Sequence, residues 1–327
     1  MSEAIASKAE RLAAYNANIA AAEKDPSLSP ETGKPLSKMN AARFGAGFLV
    51  FGVLWMSGLG IVSAVLLPMH YKTIPGVNAD ALVGIVNAFT AVASLVANLM
   101  FGNFSRSRFG RRTPWILFGA VLGGVTLFLT GTTHNAVLLT IFYCACMFGL
   151  NCMIAPMVAI LSDRVPSKIR GTMSAFYGAG STIGAPIGTM LGALFIENLI
   201  PGFAVAGVLM FLGGVVAVII IPKEQSADFL PKDEGSAKDI LSSFRPPKFS
   251  TAHDFYKAFA GRFCMLMAYQ MINVYQLYII QNYIGQSVKE SAVTVSVVSM
   301  IMMVMSLVGS FISGPVSDLI GRRKVPV

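Results

Sequence analysis

At 327 residues, with 54% apolar residues, 13% charged residues and a mean hydropathy of +0.65, the chain lies far outside the composition of soluble globular domains. Its net charge of +9 would suit nucleic acid if the cations formed one patch; they fall instead in turns between apolar runs, which makes them topology signals. Four cysteines (Cys144, Cys146, Cys152, Cys264) inside apolar runs read as buried thiols in preference to metal ligands or disulfides; three scattered histidines form no metal constellation, and no nucleophile is paired with a base, which leaves an enzyme unsupported.

In chain order, residues 1–43 are polar and alanine-rich, lack the short apolar core of a secretory signal, and are expected to form a cytoplasmic helix or tail. The remainder of the chain reads as an all-α, multi-pass membrane protein of about eight spans, each near the ~20 residues that cross a bilayer. The first span covers 44–67 and is expected to end at Pro68. The second, 81–101, sets Asn87, Thr90, Ser94 and Asn98 on one helical face, where cavity lining and interhelical bonding stay equally open. A basic turn, G-N-F-S-R-S-R-F-G-R-R at 102–112, leads to the third span (114–130) and the fourth (136–161).

Asp163, Pro166, Arg170 and Gly171 mark the next turn. In the fifth span, 172–195, Gly180, Gly184, Gly188 and Gly192 repeat every four residues, so a neighbouring backbone can approach closely; a sliding seam and a static one both remain open. The sixth span covers 203–221, and a charged, serine- and proline-rich linker runs over 222–254. On the seventh, 256–284, Tyr269, Asn273, Gln276 and Tyr283 share one face within about 80° of arc. Aromatic faces beside amides suit a solute that mixes C–H faces with hydroxyls, such as a sugar; bonding to neighbouring helices is the alternative. The eighth span, 292–313, ends at a second basic turn, G-P-V-S-D-L-I-G-R-R-K at 314–324. Of the 25 basic residues, all but Lys72 and Lys289 fall on one side of this eight-span plan, which predicts cytoplasmic termini.

The paired turns carry a resemblance. Gly314, Asp318, Gly321, Arg322 and Arg323 match the glycine, aspartate, glycine and paired-basic signature of the major facilitator superfamily (MFS). Gly102, Arg108, Gly110, Arg111 and Arg112 form a second copy that lacks the aspartate. Asp163, Pro166, Arg170 and Gly171 are similar to the turn this superfamily carries between its fourth and fifth helices, and S-R-F-G-R-R with the aromatic seventh span resembles its sugar–cation symporter branch.

That resemblance implies a six-helix half over 44–221, the linker at 222–254, and an incomplete second half over 255–327. Four helices would then be missing, through truncation or because a second polypeptide supplies them. It implies alternating access in a plasma membrane, the bacterial inner membrane by likeness, with a small solute bound near the midplane. No cofactor is implied, and the coupling cation, H⁺ or Na⁺, is not identifiable, because no Asp, Glu, Lys or Arg lies mid-span. In these carriers the seventh helix faces the first and fourth, which adds Trp55, Tyr143 and Asn151 to the expected cavity. The fifth meets the eighth, so the glycine ladder is expected against the small residues of the eighth. The turns would act as latches, with Asp163 as substitute acceptor for Arg108, Arg111 and Arg112. The alternative is a non-transporting eight-span regulator or assembly partner.

Overall fold

The structure, a computed structural model, describes residues 2–76, 78–103, 112–226, 229 and 252–320. Regular structure among these is helical apart from one bridge, Leu28↔Pro35. The helices are α1 (Ser2–Lys24), α2 (Lys38–Ile61), α3 (Leu67–Lys72), α4 (Ala79–Asn103), α5 (Thr113–Thr132), α6 (Ala136–Asp163), α7 (Ser167–Leu194), α8 (Leu199–Ile220), α9 (His253–Tyr278) and α10 (Val288–Ile320). Neither basic turn falls wholly within this set: Arg108, Gly110, Arg111, Gly321, Arg322 and Arg323 lie outside the described residues, and for Gly102, Gly314 and Asp318 only the helical backbone is described.

Seven stretches among the described residues are long and apolar enough to cross a membrane: Lys38–Lys72, Ala79–Asn98, Thr113–Thr132, Ala136–Asp163, Leu199–Ile220, His253–Tyr283 and Val288–Val308. α7, with 28 residues, is long enough but is not among them; its glycines, serines and threonines dilute its apolarity while letting it pack tightly. Pro68 does not end the first span. A π turn over Val62–Leu66 precedes it, Pro68 sits in the first turn of α3, and the helix runs on to Lys72. The missing N–H and bulky ring that break an α-helix interior are tolerated in a first turn.

Within α2–α8, α2 packs on α7 and α8, α5 on α6 and α8, and α4 on α6. The glycine ladder lies in this bundle, against α2 and not against the eighth span. A Cβ added at Gly184 would sit 2.5 Å from Val53 O and one at Gly192 2.6 Å from Ile61 O, while Gly180 and Gly188 abut Leu49 O and Ser57 O. Leu49, Val53, Ser57 and Ile61 also recur every four residues, so two rows of backbone mesh along the whole crossing. Ser57 Oγ locks it by donating to Gly184 O at 3.0 Å. A second close crossing joins α5 and α8, where a Cβ on Gly124 would lie 2.8 Å from Gly207 O.

α9 and α10 meet the bundle chiefly at the end where Lys72 and Lys289 lie. Leu277, Tyr278, Ile280, Ala292 and Val295 are buried there, whereas Phe255, Phe259 and Phe263 on the first half of α9 are each more than half exposed. The expectation of buried thiols holds only in part: Cys146 and Cys152 are buried, Cys144 is half-buried, and Cys264 is exposed because it sits on that uncovered half of α9.

Candidate solute cavity and charged turns

A cavity of about 690 Å³ opens between the bundle and the α9–α10 pair. α4 contributes Asn87 and Thr90, α6 Tyr143, α7 Ser181, Thr182 and Thr189, α9 Tyr269, Gln270, Asn273 and Gln276, and α10 Ser299 and Ser306. Met56, Met147, Met302, Met303 and the buried Tyr71 fill the walls between them. No Asp, Glu, Lys, Arg or His lines it among the described residues. Such walls offer donors, acceptors and apolar faces but no formal charge, which favours an uncharged solute.

Of the seven residues expected here, Tyr143, Tyr269, Asn273 and Gln276 line the cavity; Trp55, Asn151 and Tyr283 lie away from its walls. Trp55 is buried where α2 crosses Gly213 of α8. Asn151 Oδ1 accepts from Asn98 Nδ2 at 2.8 Å, and Asn151 Nδ2 donates to Met147 O, so this pair ties α4 to α6. Tyr283 is 90% exposed because α9 gives way at Ile279 to a π turn, Ile279–Tyr283, and the i→i+5 pattern adds about one residue per turn, which breaks the 3.6-residue phase. The α4 stripe divides: Asn87 and Thr90 reach the cavity and Asn98 serves as glue. The hydroxyls of α7 and the Tyr71 position were missed, since the ladder drew attention to the opposite face of α7. Tyr71 is 1% exposed and its hydroxyl has no protein partner among the described residues.

The cavity is shut at the Lys72 end. Tyr278 Oη donates to Pro68 O at 2.7 Å in a buried position. Lys72 Nζ donates to Gln281 Oε1 at 2.6 Å and lies 4.8 Å from the centre of the Tyr278 ring, and Gln281 Nε2 donates to Ser291 Oγ at 2.8 Å. On the rim, Lys289 pairs with Glu197 at 2.9 Å.

At the other end the charged turns interlock. Arg112 Nε and Nη2 donate to Asp163 Oδ2 at 3.0 and 2.7 Å. Arg112 is the one arginine of the first basic turn whose side chain is described. Glu224, from the segment after α8, caps α5 by accepting from the N–H groups of Arg112 and Thr113 and from Thr113 Oγ1, a favourable place for a carboxylate. Arg170 wraps back to donate to Leu161 O and Ser162 O, among the last carbonyls of α6, and to Val165 O in the turn; Pro166 precedes the first residue of α7, and Gly171 has nothing within 4 Å of an added Cβ.

The segment between α1 and α2 seals this network. Glu31 pairs with Arg164 at 2.7 Å, its second oxygen accepts from Gln225 N, and buried Ser29 Oγ donates to Arg164 O. Asp25 accepts from Ser27 N and Oγ, and those bonds hold its carboxyl below the usual range.

A family model described as the Major Facilitator Superfamily matches residues 43–327. The chain belongs to that superfamily and is a multi-pass membrane protein. It is 31% identical over 134 residues to the Beta-alanine transporter of Drosophila melanogaster, covering 40% of this chain and 21% of that protein. It is 29% identical over 131 residues to the Steroid transmembrane transporter SLC22A24 of Rattus norvegicus, covering 40% and 23%. Its fold is similar to a bacterial homolog of the human lysosomal transporter Spinster in inward-facing unoccupied and occupied crystal structures. The TM-scores are 0.61 and 0.62, at 16% and 15% identity, over 86% and 85% of this chain and 63% and 62% of those chains. The chain thus matches less than a quarter of the length of these curated relatives and under two thirds of the solved ones.

Proposed function

We propose that the chain forms the solute-binding part of an alternating-access transporter for a small uncharged, hydroxylated solute, with a sugar as the first candidate. The observation that carries this reading is the neutral, polar-walled cavity, shut at the Lys72 end, while the first half of α9 stands clear of the bundle at the other. Under the positive-inside rule the basic end is cytoplasmic, so both termini lie inside and the cavity faces inward. Residues 44–221 then act as one rocking unit and 255–327 belong to the other, with 222–254 as the tether and further helices, of the same or a second polypeptide, covering the open flank of α9. The Arg112–Asp163 contact braces the inner end of the first unit, and the inner latch between the units is assigned to the rest of the two basic turns. A plasma membrane, by likeness a bacterial inner membrane, and a coupling cation complete the reading.

Binding of labelled sugars to the purified chain tests it, with β-alanine and a steroid as rival probes. Saturable sugar binding is expected, weakened in Asn273→Ala or Gln276→Ala by about five- to tenfold, the effect of one neutral hydrogen bond. Binding of the steroid or of β-alanine in place of every sugar would overturn the assignment of the solute.

A further inference from the structure

We infer that a second cavity of α2–α8 holds an anionic membrane phospholipid. It measures about 500 Å³ and lies at the basic end between α2, α5, α6 and α8, apart from the solute cavity. Its depth is apolar, with Ile116, Leu117, Met157 and Val218 among its walls, and its mouth carries Arg43, Arg164 and Lys223.

The three cations are not equivalent. Arg164 is neutralised by Glu31 and spends further donors on Pro222 O and Lys223 O. Arg43 donates from Nε to Ile220 O at 2.8 Å and from Nη2 to Ile219 O at 3.3 Å. Those carbonyls end α8, so capping accounts for its position; yet a guanidinium has five N–H donors, and these bonds leave its charge uncompensated and fix it at the mouth. Lys223 is exposed and has no acidic partner among the described residues. Glu224, the acidic wall residue, is engaged at the start of α5.

A charged head over an apolar slot fits an amphiphile and not a free ion. The place fits too: Arg43 and Lys223 flank the ends of helices whose apolar stretches define the bilayer, at the level where lipid phosphates lie. Basic pockets between spanning helices recognise such headgroups. The slot takes the phosphate and the upper part of one acyl chain.

The test uses the full chain in phosphatidylcholine nanodiscs doped with a phosphatidylglycerol that carries a photoactivatable acyl chain, with adducts mapped by mass spectrometry. Adducts are expected to concentrate on Ile116, Leu117 and Val218. Lys223→Gln, which removes no contact of the fold, should lower the yield about five-fold, the weight of one cation near an anionic surface; Arg43→Gln should do the same and Arg43→Lys should restore it. Equal labelling by a photoactivatable phosphatidylcholine, labelling unchanged in both Gln variants, or complete competition by inorganic phosphate would each overturn the assignment, the last in favour of a soluble anion.

Discussion

α7 shows two faces to its neighbours, and they are built for opposite purposes. One meets α2 backbone to backbone, with Gly180, Gly184, Gly188 and Gly192 on Leu49, Val53, Ser57 and Ile61. The other presents Ser181, Thr182 and Thr189 to the cavity and packs on α10, where Ser296 Oγ donates to Thr189 O at 3.5 Å. Backbone carbonyls this close to each would-be Cβ leave no room for adjustment, so α2 and α7 form one packed body. Under the proposed alternating access the moving boundary belongs on the hydroxyl face, because side chains around a cavity separate more easily than meshed backbones. A glycine ladder is therefore not by itself a sliding seam.

The largest expected effect separates the two faces by a pair of substitutions two residues apart. Gly184→Leu must push Val53 O and Met56 aside; ordinary overpacking costs about 1–3 kcal/mol, and a backbone obstacle gives less than a side chain does. Loss of the monodisperse peak in size-exclusion chromatography is expected. Thr182→Leu should keep that peak and its melting temperature while filling the cavity and abolishing solute binding. Equal damage to folding by both would mean that the two faces do not differ as described.

A second contrast concerns the ion pairs at the two ends. The Arg112 side chain is 5% exposed and Asp163 25%, so Asp163→Asn leaves a sequestered guanidinium facing a neutral amide. Breaking a fully buried pair costs about 3–5 kcal/mol; the partial exposure of Asp163 lowers the expectation to about 1–3 kcal/mol, read as a fall in the chemical-denaturation midpoint. An unchanged midpoint would show that the pair does not stabilise the bundle.

Tyr71 allows an opposite sign. Its hydroxyl is buried without a protein partner among the described residues, and such a group costs about 1–3 kcal/mol. Tyr71→Phe keeps the ring and removes the cost, so it is expected to raise the melting temperature and favour the closed Lys72 end. A lower melting temperature would show that the hydroxyl has a partner in the membrane.

Much of this was legible in the chain. Apolar runs gave the spans, and the ladder and the paired turns stood out because their spacing is local. What escaped depends on pairs far apart in sequence: Glu224 caps α5 from 112 positions away, and Glu31 reaches Arg164 across 133. Nothing near Glu224 distinguishes it from any other linker carboxylate. Tyr283 escaped for another reason, since a wheel at 3.6 residues per turn fails at a π turn that no simple residue pattern announces. The partner of the glycine ladder could not be read either, because small residues specify closeness and not the neighbour.

The smallest effect lies on the rim of the closed end. Lys289 and Glu197 make a good contact at 2.9 Å, but their side chains are 70% and 67% exposed, and exposed pairs contribute about 0–1 kcal/mol. What this pair joins gives that small energy a use: Glu197 follows α7 in the bundle and Lys289 begins α10, so it acts only when the end is shut. Lys289→Gln is expected to shift the closed-to-open ratio by up to about five-fold without changing the melting temperature. The ratio can be read from the distance distribution between spin labels on Thr133 and Ser287, two turn positions at that end. Exchanging the charges, Lys289→Glu with Glu197→Lys, should restore the closed fraction, and raising the salt to 1 M, where the screening length falls to about 3 Å, should erase the difference between wild type and Lys289→Gln. If the exchanged pair stays as open as the single variant, the rim contact does not hold the end shut, and closure rests on the buried Tyr278 hydroxyl bonded to Pro68 O.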